Sequence, residues 1–182
     1  MAYNFAQKRD GDRIIIEQKQ SRSNCIFISH KKEDEDAAIK IGDYLLNEVG
    51  VNIYLDVYDC KLQEAVSLEN DKEIVNSIKR GMELSTHLLC LVSDKTRLSW
   101  WVPYEIGIAD VTQKNIASLK LARVDDIPSF LKIQENLYTI SDFLKYASKI
   151  MPLGSYFETM NYDKLQKSYT RELEKYVDIE RR

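Results

Sequence analysis

The chain has 182 residues, which is the length of one domain with short extensions. Apolar residues make up 44% and charged residues 30%, and 26 basic against 29 acidic side chains give a net charge of −3. This balance offers no excess of positive charge for phosphates, which argues against a dedicated nucleic-acid binder. No apolar run approaches the ~18 residues of a membrane span, and segment 1–13 lacks the apolar core of a signal peptide.

The cysteines and histidines give no sign of a disulfide framework or a metal centre. Cys25, Cys60 and Cys90 are an odd number without CxxC spacing. Neither His30 nor His87 has a second ligand at metal-binding spacing. Cys25 and Cys90 lie inside apolar runs, as small buried core residues do. We therefore expect a cytoplasmic protein with no bound metal.

The first half of the chain alternates between strand and helix patterns. The apolar run 25–29 predicts a buried strand. Acidic residues 33–36 then open an amphipathic helix that ends at Gly50, because acids suit a helix N-terminus and glycine suits its C-cap. Residues 51–56 predict a second strand, and residues 57–68 predict a loop.

The second half continues this alternation. Asn70 and Glu73 have the spacing of a capping box and predict the start of a helix. The apolar run 87–93 is the most continuous in the chain and predicts the central strand. The remaining predicted elements are a helix from about Ser99, a strand over 116–122, a short strand over 137–140 and a helix over 141–150. Alternating strands and helices imply parallel pairing, so we predict a flavodoxin-like, three-layer α/β fold with a central parallel sheet of about five strands.

The C-terminal segment carries an apolar stripe at helical spacing, formed by Tyr162, Leu165, Tyr169, Leu173 and Tyr176. It predicts a C-terminal helix that either packs on the domain or offers a self-association surface. We therefore divide the chain into an N-terminal extension over 1–23, one domain over 24–150 and a C-terminal helical extension over 151–182.

Polar residues follow three of the predicted strands. Ser29 and His30 end the first, Asp56 ends the second, and Ser93 with Asp94 ends the third. Ligands of open parallel sheets bind outside the carboxyl ends of the strands, so these residues predict a site at that edge. The sequence has no GxGxxG, GxxxxGK[ST] or GxSxG motif, so dehydrogenase, NTPase and hydrolase assignments lack their usual loop.

Five short segments follow one another in an informative order. They are CIFISHKKED at 25–34, IYLD at 53–56, IKRGM at 78–82, LCLVS at 89–93 and SWWVPYEIG at 99–107. Together they resemble the Toll/interleukin-1 receptor (TIR) domain family over roughly residues 24–150. Within the last segment, Trp101 and Glu105 fit the WxxxE pattern of TIR domains that consume NAD.

This resemblance implies cleavage of the nicotinamide–ribose bond of NAD, with NAD as substrate and no cofactor. Nicotinamide in NAD is already a cationic leaving group, so no general acid is needed, and cleavage leaves an oxocarbenium-like ribose. By motif position, Glu105 is the catalytic carboxylate that stabilises this charge. The resemblance also implies a substrate-binding set of Ser29, His30, Lys32, Asp56 and Trp101.

A TIR protein of this size resembles the sensor-synthase of Thoeris-type anti-phage defence. This implies an NAD glycohydrolase or ADP-ribosyl cyclase whose product, expected to be a cyclic ADP-ribose isomer, signals to a separate effector protein. Water as acceptor gives linear ADP-ribose, whereas ring closure requires that water be excluded, and no residue decides between them. The resemblance also implies TIR–TIR self-association, although segment 57–68 lacks the Gly or Pro that many relatives carry there.

Two other functions remain open from the sequence. The first is a non-catalytic TIR–TIR interaction or adaptor module, which would not need Glu105. The second is an enzyme like the nucleoside 2-deoxyribosyltransferases, which share the fold style and a catalytic glutamate. Nicotinamide release from NAD separates the first alternative from the NAD-cleaving enzyme, and activity on deoxynucleosides selects the second.

Overall fold

The described part of the chain forms a sheet of five parallel strands. The computed structural model describes residues 2–7, 24–151, 165–166 and 172–179. The strands are β1 Cys25–Ser29, β2 Asn52–Tyr54, β3 His87–Val92, β4 Asn115–Lys120 and β5 Glu135–Leu137. Their order is β2-β1-β3-β4-β5, and all neighbouring pairs run parallel. The predicted flavodoxin-like α/β fold with a central parallel sheet is confirmed, and β3 is the central strand.

Five α-helices within residues 24–151 connect and follow the strands. They are α1 Glu35–Tyr44, α2 Cys60–Ser67, α3 Asp71–Glu83, α4 Trp101–Val111 and α5 Ile140–Ile150. A π-helical turn, Leu45–Val49, continues α1 and ends at Gly50, whose φ of +74° places it in the left-handed region as the predicted C-cap. In the described ranges every helix is too short or too polar to cross a bilayer.

The helices pack in two groups. On α1, Tyr44 contacts Phe143 of α5, with ring centroids 5.9 Å apart. A separate apolar cluster joins α2 to α3, and Tyr104 of α4 packs against it. Between the two groups, all six residues of β3 are buried, which explains why this strand reads as a continuous apolar run.

The segment 57–68 differs from its prediction, because it is mostly helical rather than a loop. A 3-10 turn, Asp56–Tyr58, leads directly into α2. Asp59 starts this helix, since its side chain accepts hydrogen bonds from two backbone N–H groups of the first turn. Only Leu62 and Ala65 of α2 are buried. Two apolar positions are too few to show the 3.6-residue hydrophobic periodicity by which a helix is predicted.

Several other boundaries shift by one to three residues. The helix predicted from Ser99 begins at Trp101, and the Ser99 hydroxyl accepts a hydrogen bond from the backbone N–H of Val102 at 3.2 Å. The last strand ends at Leu137 instead of continuing to residue 140, because Thr139 caps α5 in a capping box.

The described parts of both terminal segments pack on this domain. Asn4 forms a parallel bridge with Ile53 beside β2. The Tyr44 hydroxyl donates a hydrogen bond to the carbonyl of Leu165 at 3.0 Å, and the backbone N–H of Ala122 donates to the carbonyl of Tyr176 at 2.7 Å. Much of the predicted C-terminal helix lies outside the described residues, and the domain boundaries remain predictions.

Candidate functional site

The candidate site centres on Glu105, which lies on the buried face of α4. The buried residues of this helix are Val102, Glu105, Ile106 and Ala109, the i, i+3, i+4, i+7 stripe of a core-facing helix. Glu105 is 4% exposed. A carboxylate therefore occupies a position where packing alone favours an apolar side chain.

Ser29, the last residue of β1, holds the Glu105 carboxylate from the sheet side. Its Oγ donates a hydrogen bond to Glu105 Oε2 at 2.5 Å, and Ser29 itself is 1% exposed. When Glu105 is ionised, a hydroxyl-to-carboxylate bond of this kind is stronger than one between neutral groups. The contact places Glu105 at the carboxyl end of β1, at the predicted sheet edge.

The surroundings of Glu105 favour its neutral form. Burial raises the pKa of Glu105 well above its usual value, and the negative charge of Asp56 raises it further. The hydrogen bond from Ser29 acts in the opposite direction, because it stabilises the ionised carboxylate. A cationic ligand beside Glu105 would shift this balance toward the carboxylate.

Asp56 and His30 form the second half of the site. His30 Nδ1 lies 3.7 Å from Asp56 Oδ1, which is too long for a hydrogen bond. Asp56 Oδ1 is buried and has no hydrogen-bond partner among the described residues. Burial raises the pKa of Asp56, and the neighbouring His30 opposes that effect. The site thus holds two carboxyl groups that both resist ionisation, which is a common property of functional sites.

Cys90 is a neighbour of this site that sequence reasoning assigned only to the core. It lies opposite Ser29 in the register of β1 and β3. Burial raises the pKa of this thiol, and the charge of Glu105 adds to the effect. Only the strand register shows that Cys90 lies next to Ser29, because no short sequence pattern fixes which residues of two strands are paired.

A second hydrogen bond supports the same edge of the sheet. The Oγ atom of Ser93, just after β3, donates to Asp34 Oδ2 at 2.5 Å, and Asp34 directly precedes α1. Ser93 was predicted at this edge, whereas Asp34 was assigned only to a helix start. The bond ties the loop after β1 to the end of β3.

Four of the six predicted site residues come together. Ser29 contacts Glu105, His30 pairs with Asp56, and the charge of Asp56 acts on Glu105.

The other two predicted residues, Lys32 and Trp101, lie more openly. Lys32 is exposed on a 3-10 turn, and Trp101 is 37% exposed and contacts the Tyr104 ring edge-on at 6.2 Å. The proposed roles of all six residues remain predictions.

Glu105→Gln is expected to stabilise the fold at high pH. Because the folded state raises the pKa of Glu105, it binds the proton more tightly than the unfolded chain, so Glu105 costs stability as pH rises above its unfolded pKa of about 4.3. Glutamine is neutral throughout and has the same shape. We expect a gain of about 1–3 kcal/mol at pH 9 and almost none at pH 4, measured by urea unfolding. Glu83→Gln, at an exposed position of α3, should show no such pH-dependent gain.

Comparison with known proteins gives the family. A family model described as "TIR domain" matches residues 26–148, which is more than half of the chain. Among solved structures, the TIR domain of the Toll-related receptor TRR-2 from Hydra magnipapillata is 17% identical, with a TM-score of 0.49. That match covers 62% of this chain and 81% of the Hydra chain. No protein of curated function matches the sequence. On the strength of the family model, the chain belongs to the TIR domain family.

Proposed function

We propose that this TIR protein is an NAD-consuming enzyme that breaks the bond between nicotinamide and ribose. Its second product would be a cyclic ADP-ribose isomer that acts in the cytoplasm as a signal in anti-phage defence, read by a separate effector protein. The observation that carries the proposal is the Glu105 carboxylate on the core-facing stripe of α4, held by Ser29. A solvated helix glutamate would give no such support.

The position of Glu105 favours a role toward a ligand over a role in packing. A core-facing helix position is most stable with an apolar residue, and burying a carboxyl group there costs free energy. Asp56 increases the cost, because two carboxyl groups close together oppose each other's ionisation. A cationic ligand between them would reduce both the cost of burying the Glu105 carboxylate and its repulsion with Asp56. The pyridinium-bearing ribose of NAD and the ribose cation that follows it are ligands of this kind.

The chemistry proceeds by loss of nicotinamide from C1′ of the ribose. The electron pair of the C–N bond leaves with nicotinamide, which becomes neutral, and the ribose acquires the positive charge. Ionised Glu105 stabilises this charge. An acceptor atom then bonds to C1′ and gives up a proton, and in this scheme Asp56, with its unpaired Oδ1 beside His30, is the base that takes this proton.

The site is closed in the single chain. Glu105 is 4% exposed, so NAD reaches it only when the neighbouring segments move. TIR–TIR assembly is the natural cause of such a movement, and we expect low activity in the dilute monomer. A specific rate that stays constant while the protein changes size would contradict this expectation.

The test is mass analysis of products after incubation of the purified full chain with NAD. The protein concentration should span the range over which its size changes. Release of nicotinamide supports the proposal. A partner product of the mass of ADP-ribose minus one water supports the cyclase form, whereas linear ADP-ribose limits the enzyme to hydrolysis. No nicotinamide at any concentration, although the protein assembles, would refute the proposal.

A second candidate function is a non-catalytic interaction module. The observation in its favour is an exposed apolar surface just before and at the start of α4, where Trp100 is 91% exposed and Leu98 is 70% exposed. Large apolar side chains in solvent are frequent at protein contacts. TIR assembly without any release of nicotinamide would select this function. Base exchange on deoxynucleosides without NAD cleavage would instead select an activity like that of the nucleoside deoxyribosyltransferases.

Asp56→Asn should move the acidic limb of the pH–activity profile to lower pH. The charge of Asp56 raises the pKa of Glu105, so its removal lets Glu105 ionise at lower pH. The limb is read from kcat/KM, which reports ionisations of the free enzyme. The plateau rate should fall about tenfold or more, because a base near the acceptor is lost. Asp110→Asn, at an exposed position near the C-terminal end of α4, is the matched control. An acidic limb that stays in place or moves to higher pH would contradict the assignment.

A further inference from the structure

Ser29 is one of the least accessible polar residues of the site. It is 1% exposed and ends β1, with Cys90 of the neighbouring strand opposite and α4 on its other side. Its hydroxyl already donates to Glu105 Oε2. A side chain with so little exposure and an occupied donor is poorly placed to contact a nucleotide.

We propose that Ser29 is a positioning residue for NAD cleavage, whose hydroxyl fixes the Glu105 carboxylate instead of binding the substrate. The inference rests on the proposed function. It revises the substrate-binding role that the family resemblance implies for Ser29.

The hydroxyl of Ser29 is itself held in place. Its backbone belongs to a strand with paired neighbours on both sides, and the residue is 1% exposed, with Cys90 opposite it in the strand register. The glutamate side chain, in contrast, has several rotatable bonds and needs an external contact to select one rotamer. The 2.5 Å bond between Ser29 Oγ and Glu105 Oε2 is that contact. Catalysis benefits because a charge-stabilising group works best when its orientation is set before the reaction.

The charged groups around Glu105 predict the direction of the effect on its ionisation. Glu105 faces Ser29, Cys90 and Asp56, and Asp56 in turn faces His30 and Glu35. Ser29 favours the ionised form of Glu105, whereas Asp56 opposes it. Removal of the Ser29 hydroxyl should therefore shift ionisation of Glu105 to higher pH, opposite in sign to the shift expected for Asp56→Asn.

The first test is the pH dependence of NAD cleavage by full-length Ser29→Ala. We expect kcat to fall about 10–100-fold, the worth of one hydrogen bond to a charged group, with KM changed less than about threefold. The acidic limb of kcat/KM should move to higher pH. Ser118→Ala is the matched control, because Ser118 is a fully buried strand serine that donates to Asn136 Oδ1 at 2.7 Å. An unmoved limb in Ser29→Ala, or the same shift in Ser118→Ala, would overturn the proposal.

A second test needs no activity. Unfolding equilibria of wild type, Ser29→Ala, Glu105→Gln and the double variant form a thermodynamic cycle. We expect little coupling at pH 4, where both residue types at position 105 are neutral in the folded state, and a coupling of about tenfold in the unfolding equilibrium constant above the acidic limb of the wild-type kcat/KM profile, where Glu105 is ionised. No coupling above that limb would overturn the positioning role. If the two residues are coupled but the protein releases no nicotinamide, the proposed function is refuted, and so is a catalytic role for the hydrogen bond between Ser29 and Glu105. The hydrogen bond itself would still be established.

Discussion

Glu105→Gln is expected to lower kcat for NAD cleavage by about 10³-fold. The ribose gains its positive charge only as nicotinamide departs, so a carboxylate beside it stabilises the transition state more than bound NAD. Glutamine keeps the size of the side chain and an oxygen for the Ser29 hydroxyl but has no charge. We therefore expect KM to change little, and nicotinamide release under saturating NAD is the measurement.

Measurements of the free energy of unfolding show whether Glu105→Gln loses activity because it has lost the charge or because it has unfolded. The same Glu105→Gln variant is expected to be more stable than the wild type at high pH, so its inactivity cannot come from unfolding. Glu83→Gln should keep the wild-type rate. A Glu105→Gln protein that retains more than about a tenth of the rate would show that the charge of Glu105 does not carry the reaction.

Gly81→Ala is expected to destabilise the protein by about 2–3 kcal/mol, although alanine normally favours a helix over glycine. A Cβ at Gly81 would lie 2.4 Å from Cε1 and 2.6 Å from Cζ of Tyr54. This ring has little freedom to move away, because it is buried and stacks on Phe27 with centroids 5.4 Å apart. Its hydroxyl also donates a hydrogen bond to Asp59, the cap of α2.

The consequence should be visible in thermal unfolding, with a melting temperature about 5–10 °C below the wild type. Gly107→Ala on α4 is the matched control, because a Cβ there meets no atom within 4 Å. That substitution should raise stability by about 0.5–1 kcal/mol. Equal stability of the two alanine variants would show that α3 does not press on Tyr54 as the structure indicates.

The fold was largely predictable because its signals are local. The apolar runs that form β1 and β3, and the glycine that ends the first helix, are patterns of composition and spacing that need no partner to be recognised. The α2 helix was missed for the same reason. Its start depends on the Asp59 side chain, and its stability depends on packing against α3 and α4, which the spacing of its own residues does not display.

The candidate site was predictable only in part. The WxxxE pattern singled out Glu105, and the rule for parallel sheets placed Ser29, His30 and Asp56 at one edge. The buried stripe of α4 was a further signal, since Glu105 falls among apolar residues at helical spacing. Nothing in the sequence distinguished a serine that binds NAD from a serine that holds Glu105.

The sequence by itself therefore determined the types of the elements other than α2, the order of the strands along the chain and the identity of the candidate carboxylate, because each is encoded within a few neighbouring residues. The tertiary structure alone decided that Ser29 donates to Glu105 across 76 positions of the chain, and that Cys90 lies opposite Ser29. Those contacts follow from the register of two strands and the packing of one helix, which are set by the whole core and not by any local pattern.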